Sequence, residues 1–199
     1  FSGQIVPIEV PARSGSATID RDESPRHDAT LEKLSKLPPA FSEDGTVTAG
    51  NASSLNDGAA ALVLATRAAC ERMGLRPLAR VGPLSIKARE PRFTGVAPVP
   101  AITEVVAASD LELEQVDLIE VNEAFASYYL ATERDLGLDR SRVNVNGSGI
   151  SLGHPVGATG CRLAVTLVHE MIRRDVSSGL ASLCAGGGMG YALLLQRDF

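Results

Sequence analysis

Cysteine is scarce in this sequence and never paired. Cys70, Cys161 and Cys184 are an odd number with no Cys-x-x-Cys spacing, so neither a zinc site nor a disulfide framework is expected, and a reducing, cytoplasmic setting fits best. Long apolar runs are also missing. Nothing is of bilayer-spanning length and no charged-then-apolar leader is visible, so no membrane association is expected. Lysines and arginines form no stripe, and the formal charge is -5, which argues against a nucleic-acid surface. There is no internal repeat or low-complexity segment, and the chain opens on Phe1 without an initiator Met, so an upstream part is expected to exist. With 44% hydrophobic residues among 199, the chain has enough for one or two packed cores.

Up to about Ser54 the chain is polar and turn-rich, with Pro7, Pro11, Pro25 and the Pro38-Pro39 pair, and reads as a loop-like excursion around one short helix near Ala29–Leu37. A small-and-apolar run, Ala59–Ala65, has buried-strand length. Thr66–Met73 behind it, closed by Gly74, has the pattern of a capped helix. Beyond Arg76-Pro77 the pattern predicts a strand (Ala79–Lys87), helix (Pro100–Ala108), strand (Val116–Val121), helix (Ala124–Leu136), strand (Val143–Val145) and helix (Ala158–Arg174). Two strands around a glycine turn close the chain, so the fold class is α/β. In the last helix Leu163, Leu167 and Met171 step by four beside Ala164, Val168 and Ile172, which predicts a broad face buried on a sheet.

Three places concentrate chemistry. Cys184 runs into Ala185-Gly186-Gly187-Gly188-Met189-Gly190, where naked backbone brings a thiol and N–H donors to one point, as acyl chemistry requires. An isolated cysteine is more often a small buried residue, but a structural cysteine in a strand has no use for such a glycine run. His154 lies between Gly153 and Pro155, ahead of Gly157-Ala158-Thr159-Gly160, which opens a helix whose N–H groups and positive dipole end lie close by. Surface roles are expected for His27 and His169. In Glu120-Val121-Asn122-Glu123-Ala124-Phe125, Asn122 taken alone reads as a helix cap. Taken with the two turns it stands at the carboxyl end of a strand, where ligands of α/β sheets gather, and its amide is suited to holding a water or orienting His154.

Two motifs are set aside. Gly149-Ile150-Ser151-Leu152-Gly153 matches the G-x-S-x-G of serine hydrolases, but the acid and histidine do not follow in the required order. Gly147, Gly149 and Gly153 are spaced one residue too wide for a dinucleotide fingerprint.

Taken together, Asn122-Glu123-Ala124-Phe125, the run from Asn146 through Gly153-His154-Pro155 to Gly160, and Cys184-Ala185-Gly186-Gly187-Gly188-Met189-Gly190 strongly resemble the thiolases, the acetyl-CoA acetyltransferases and 3-ketoacyl-CoA thiolases. Gly45-Thr46-Val47-Thr48-Ala49-Gly50-Asn51-Ala52-Ser53-Ser54-Leu55-Asn56-Asp57-Gly58-Ala59 extends the likeness over essentially the whole chain. The resemblance implies a thiolase-like fold of mixed β-sheets layered with helices, incomplete without an N-terminal half. It divides the chain into the end of a loop domain (1–56), the last strand and helix of the N-terminal domain (57–77) and a C-terminal domain (78–199). It implies that Cys184 is the acid/base cysteine, that His154 activates a nucleophilic cysteine and helps form an oxyanion hole, that Asn122 positions a water completing that hole, and that the Gly186 N–H belongs to a second one. Coenzyme A or acyl-CoA is then a substrate, with no permanently bound cofactor and no metal. Arg26 would lie near the CoA nucleotide, Ser53 would face the pantetheine arm and Phe41 would sit beside it.

In the family the nucleophilic cysteine belongs to the first half, and neither Cys70 nor Cys161 takes its place. The expected activity is therefore CoA-dependent thiolysis of 3-ketoacyl-CoA or its reverse, silent in this chain alone, in an enzyme that forms a dimer or tetramer. The alternative is a non-catalytic acyl-CoA-binding or scaffold subunit; the survival of Asn122, His154 and Cys184 weighs against it. Two departures are visible. Arg92-Phe93-Thr94-Gly95-Val96-Ala97-Pro98 stands where many thiolases have Met-Gly-Ile-Gly-Pro, so Thr94 replaces a methionine and leaves room for a longer acyl group. Lys33 falls where serine is common near the CoA.

Overall fold

A computed structural model describes residues 1–13 and 15–197. Its centre is a four-stranded sheet of order β3-β6-β5-β4, built from β3 (Arg80–Ala88), β4 (Leu118–Val121), β5 (Ser178–Ala185) and β6 (Met189–Gln196). β4 and β5 are parallel; β6 runs antiparallel to both β5 and β3. Pro83 cannot donate to a ladder, and the register of β3 slips between Val81 and Leu84, as an edge strand permits.

Alternation along the strands divides the core. Ile119, Val121, Leu180 and Leu194 pack with Ala101, Ile102 and Val105 of α3 (Pro98–Ala107). On the opposite face Leu118, Ala181 and Leu195 meet Leu163, Ala164, Leu167, Val168 and Met171 of α6 (Thr159–Arg174). Ile172, expected on that face, is 39% exposed. Between β4 and β5 the chain passes through α4 (Ala126–Leu136), the single turn α5 (Gly149–Leu152) and α6, which brings the start of α6 to the carboxyl ends of the parallel strands.

Several expectations are corrected. The run Ala59–Ala65 forms no strand: Leu62, Val63 and Leu64 are 47%, 92% and 77% exposed, because a strand needs a neighbouring ladder and no described segment supplies one. The helix behind it does form, as α2 (Arg67–Met73), with the Thr66 hydroxyl capping Ala69 N–H and Gly74 in the left-handed region. Val143–Val145 is reduced to one parallel bridge, Val143 to Ile119. Asn144 turns out of the extended region (φ 49°), and its side-chain amide, not a backbone, pairs with Val121. The early excursion contains an antiparallel pair, β1 (Ile8–Ala12) and β2 (Gly15–Ile19), which Pro11 disguised. Its helix, α1 (Leu31–Ser35), is shorter than expected and capped by Thr30.

Candidate active site

The end of β4 is clamped from two sides. Asn144 Oδ1 accepts from Val121 N–H at 2.8 Å, and Asn144 Nδ2 donates to the Val121 carbonyl at 2.9 Å. Glu123 accepts from Ile150 N–H and Asn144 Nδ2 at 3.3 Å each. These bonds, with Asn122 N–H donating to Ser182 O at 2.9 Å, hold Asn122 beside β5, two residues before Cys184. Asn122 is 3% exposed. It is not a helix cap: α4 starts at Ala126, with Phe125 in the capping position.

Asn122 meets His154. The Nδ2 amide lies 3.4 Å from His154 Nε2. On the other side of the ring, Nδ1 lies 2.7 Å from Thr159 Oγ1, whose single proton is given to the Pro155 carbonyl at 3.0 Å. The Thr159 oxygen must therefore accept from Nδ1–H, which leaves the Nε2 lone pair facing the Asn122 amide. The backbone N–H of His154 donates to Ser54 O (3.0 Å) and Asn56 Oδ1 (3.2 Å). Burial, and secondarily the Arg162 guanidinium, hold the imidazole below its ordinary pKa, so the ring is neutral near pH 7 and Nε2 is available as a base.

Cys184 occupies the end of β5, half-buried and opposite Gly190 of β6. The connection uses Gly186, Gly187 and Gly188, the last two at φ of 86° and 89°, a region that other residues enter at a cost. Burial pushes the Cys184 thiol up, so near neutral pH the sulfur holds its proton. These surroundings favour a thiol able to give its proton to a stronger base. Gly186 is exposed at the tip of the turn.

Two of the three residues expected at the CoA join this cluster. Ala52 and Phe125 form a β-bridge, Ser53 N–H donates to Ala124 O (3.0 Å) and Ala126 N–H to Asn51 O (2.8 Å). Phe41 meets Phe125 edge-on at 6.0 Å. Arg26 stays in the exposed loop, and no described side-chain bond ties it to the cluster. The Lys33 ammonium is engaged by Asp28 at 2.6 Å. Thr94 Oγ1 donates to the Pro91 carbonyl at 2.6 Å, within a 3-10 turn. Sequence reasoning passed over Asn56, Thr159, Glu120 and Arg162. Of these only Thr159, in the glycine-rich helix opening, gave a local signal.

A neutral imidazole, an amide against it and a protonated thiol on the adjacent strand bring together groups that can give and take protons. Comparison with known proteins gives the site a family. Residues 75–197 match the model of the thiolase C-terminal domain and residues 1–68 that of the thiolase N-terminal domain; the chain belongs to the thiolase family. It is 54% identical to the acetyl-CoA acetyltransferase of Pseudomonas aeruginosa over all of its own length and 51% of that protein's. The acetyl-CoA acetyltransferase of Bacillus anthracis superposes with a TM-score of 0.95 at 52% identity, over 98% of this chain and 49% of the other. Human mitochondrial 3-ketoacyl-CoA thiolase in complex with CoA gives 0.85 at 43% identity, over 92% of this chain and 46% of the other. The chain thus spans about half the length of the relatives it matches. Among the described residues no helix is long and apolar enough to cross a membrane.

Proposed function

We propose that this chain supplies the acid–base half of a thiolase active site, which interconverts 3-ketoacyl-CoA plus CoA with acetyl-CoA plus a shortened acyl-CoA. The nucleophilic cysteine comes from the N-terminal half that the relatives carry. The observation that carries the reading is the Asn122–His154 contact, set at the strand ends beside Cys184 in a chain of this family. In thiolysis the nucleophile's sulfur attacks the 3-keto carbon, and the bond between C2 and C3 breaks. The electron pair passes to C2, where the Cys184 thiol delivers a proton and acetyl-CoA leaves. Cys184 then takes the proton of the incoming CoA thiol, whose sulfur displaces the enzyme's and releases the shortened acyl-CoA. Neutral His154 draws the proton from the nucleophilic cysteine, and its Nε2 side, with a water held by Asn122, faces the charged oxygen. The Gly186 N–H is the donor of a second such hole.

Phe41 and Ser53, fixed against the Asn122 segment, support CoA binding along that edge, with Arg26 in the exposed loop meeting the nucleotide. CoA is substrate here, not a resident cofactor. The exposed Leu62, Val63 and Leu64 support a completed N-terminal domain and an oligomeric enzyme, since apolar surface of that kind is seldom left open. The boundaries at 56 and 77 separate loop, N-terminal and C-terminal domains in this reading. Three free cysteines favour a reducing cytoplasm, and a 3-ketoacyl substrate class fits a role in fatty acid metabolism. The test is CoA-dependent cleavage of 3-ketoacyl-CoA by the two-half enzyme. Cys184→Ala and His154→Ala should each lower turnover by about 10²–10⁴; full turnover in both variants rejects the reading.

A further inference from the structure

One buried pair of ionisable side chains in the core has no part in the scheme above. Glu120 points from β4 toward α6, on the face that carries Leu118, and is 2% exposed. Its Oε2 lies 3.8 Å from Nη1 of Arg162 on α6. Neither that oxygen nor either terminal nitrogen of Arg162 has a hydrogen-bond partner among the described residues. Such a pair is a poor stabiliser. Both groups give up hydration, and a long contact without hydrogen bonds returns little of it. An apolar residue on either side would pack at lower cost, so stability does not explain the arrangement.

Its position does. Glu120 precedes Asn122 by two residues on the same strand, and Arg162 follows Thr159 by one helical turn. Thr159 accepts the Nδ1 proton of His154. The pair therefore bridges the two elements that bring Asn122 and His154 together. We propose that Arg162, seated on the buried Glu120, is a positioning residue that acts on the reaction through His154: it ties α6, which holds the ring by Thr159, to β4, which carries Asn122, without touching substrate. The inference rests on the acyl-transfer reading above.

The surrounding charges agree. His154 is flanked by the neutral groups of Asn122, Thr159 and Asn56, and Arg162 is the cation whose field reaches it. Arg162 itself faces Glu120 and Glu123 at the end of β4 and Asp22 in the N-terminal loop. Glu120 faces Glu123 and Glu170 as well, but Glu170 is already held by Arg173 and Arg174. Burial keeps the Glu120 carboxyl protonated well above the usual range, to about 8. Where His154 titrates, Glu120 therefore offsets little of the guanidinium charge, and the remaining acidic partners are Glu123 and Asp22.

The test uses the full-length enzyme, this chain together with the N-terminal half of its relatives, with carbon-13-labelled histidine. NMR then reads the protonation midpoint of His154 with no need for turnover. Arg162→Met should raise that midpoint and lower kcat about tenfold while KM for CoA holds. Arg162→Lys, which keeps the charge, should return the midpoint to within about 0.2 units of wild type. If Arg162→Met does not fold, Arg162→Gln makes the same measurement with a polar end in the same place. An unmoved midpoint in the neutral variants overturns the proposal, even if kcat falls, because that result describes a merely structural residue. If the unaltered enzyme performs no thiolysis, the proposed activity fails separately, and the midpoint still decides the role of Arg162.

Discussion

Replacing Gly190 by alanine should damage both fold and site, for a reason that can be worked out atom by atom. Gly190 lies in β6, opposite Cys184 on one side and Lys87 of β3 on the other. A Cβ there would overlap the carbonyl of Ala97 and come within 2.7 Å of Pro98 N. These are backbone atoms at the start of α3, and Ala97 is fully buried, so no side chain can rotate aside. Either the hairpin or the helix start must move. Overpacking costs about 1–3 kcal/mol when side chains yield; against main chain the upper end, about 3 kcal/mol, is expected. Gly186, four residues earlier in the turn between β5 and β6, has no atom within 4 Å of its would-be Cβ. Gly186→Ala should stay within about 0.5 kcal/mol of wild type. Denaturant titration of the two variants in the full-length enzyme reads both values, and thiolysis by Gly190→Ala should fall as Cys184 is displaced. Equal stability of the two variants would refute the steric argument.

Two further predictions concern titration. The folded pKa of Glu120 lies above its ordinary value, moving from 4.5 to about 8. Its contribution to stability is therefore fully present below the ordinary carboxylate range and is lost as pH rises through the folded value. Glu120→Gln has nothing to ionise, so the decline in melting temperature between about pH 5 and pH 8 should flatten; parallel curves for variant and wild type would show that the carboxyl is not held protonated. Cys184, raised by burial, should be alkylated by iodoacetamide more slowly than a free thiol at neutral pH, with the rate climbing as pH rises. Peptide mapping separates it from Cys70 and Cys161, and faster labelling than a free thiol at pH 7 would contradict the assigned protonation state.

How much of the fold could be read in advance depended on whether a segment's pattern is satisfied locally. Helix α6 was legible because eight of its residues are buried at helical spacing on one sheet face, and α2 because Thr66 and Gly74 mark its ends without reference to anything else. Val143–Val145 misled for the opposite reason. Its composition is that of a strand, but Asn144 spends its amide on Val121 and takes a left-handed backbone, so the ladder stops after one bridge. Ala59–Ala65 is apolar enough for a buried strand and finds no neighbour in the described chain; composition states that a segment needs burial, not that its partner is present.

The site divides in the same way. Cys184 and His154 were legible because each stands beside glycine-rich backbone, and Asn122 only because it falls at a strand's carboxyl end in company with those two turns; the folded chain joins Asn122 and His154 directly and sets Cys184 on the adjacent strand. Thr159, Asn56, Glu120 and Arg162 carried little such mark, since a threonine in a helix start or a charge in a long sequence has many ordinary uses. Their meaning appears only when β4, α6 and the 51–56 segment are brought together: Asn56 holds the backbone of His154, Thr159 sets its tautomer, and Arg162, one helical turn beyond Thr159, sits on Glu120 of β4. A residue that does chemistry alters its own neighbourhood in the sequence, whereas a residue that positions another alters only the neighbourhood in space. For that reason the groups that tune His154 are the ones that single-sequence reading is least able to find, and the ones that substitution in the assembled enzyme is best able to expose.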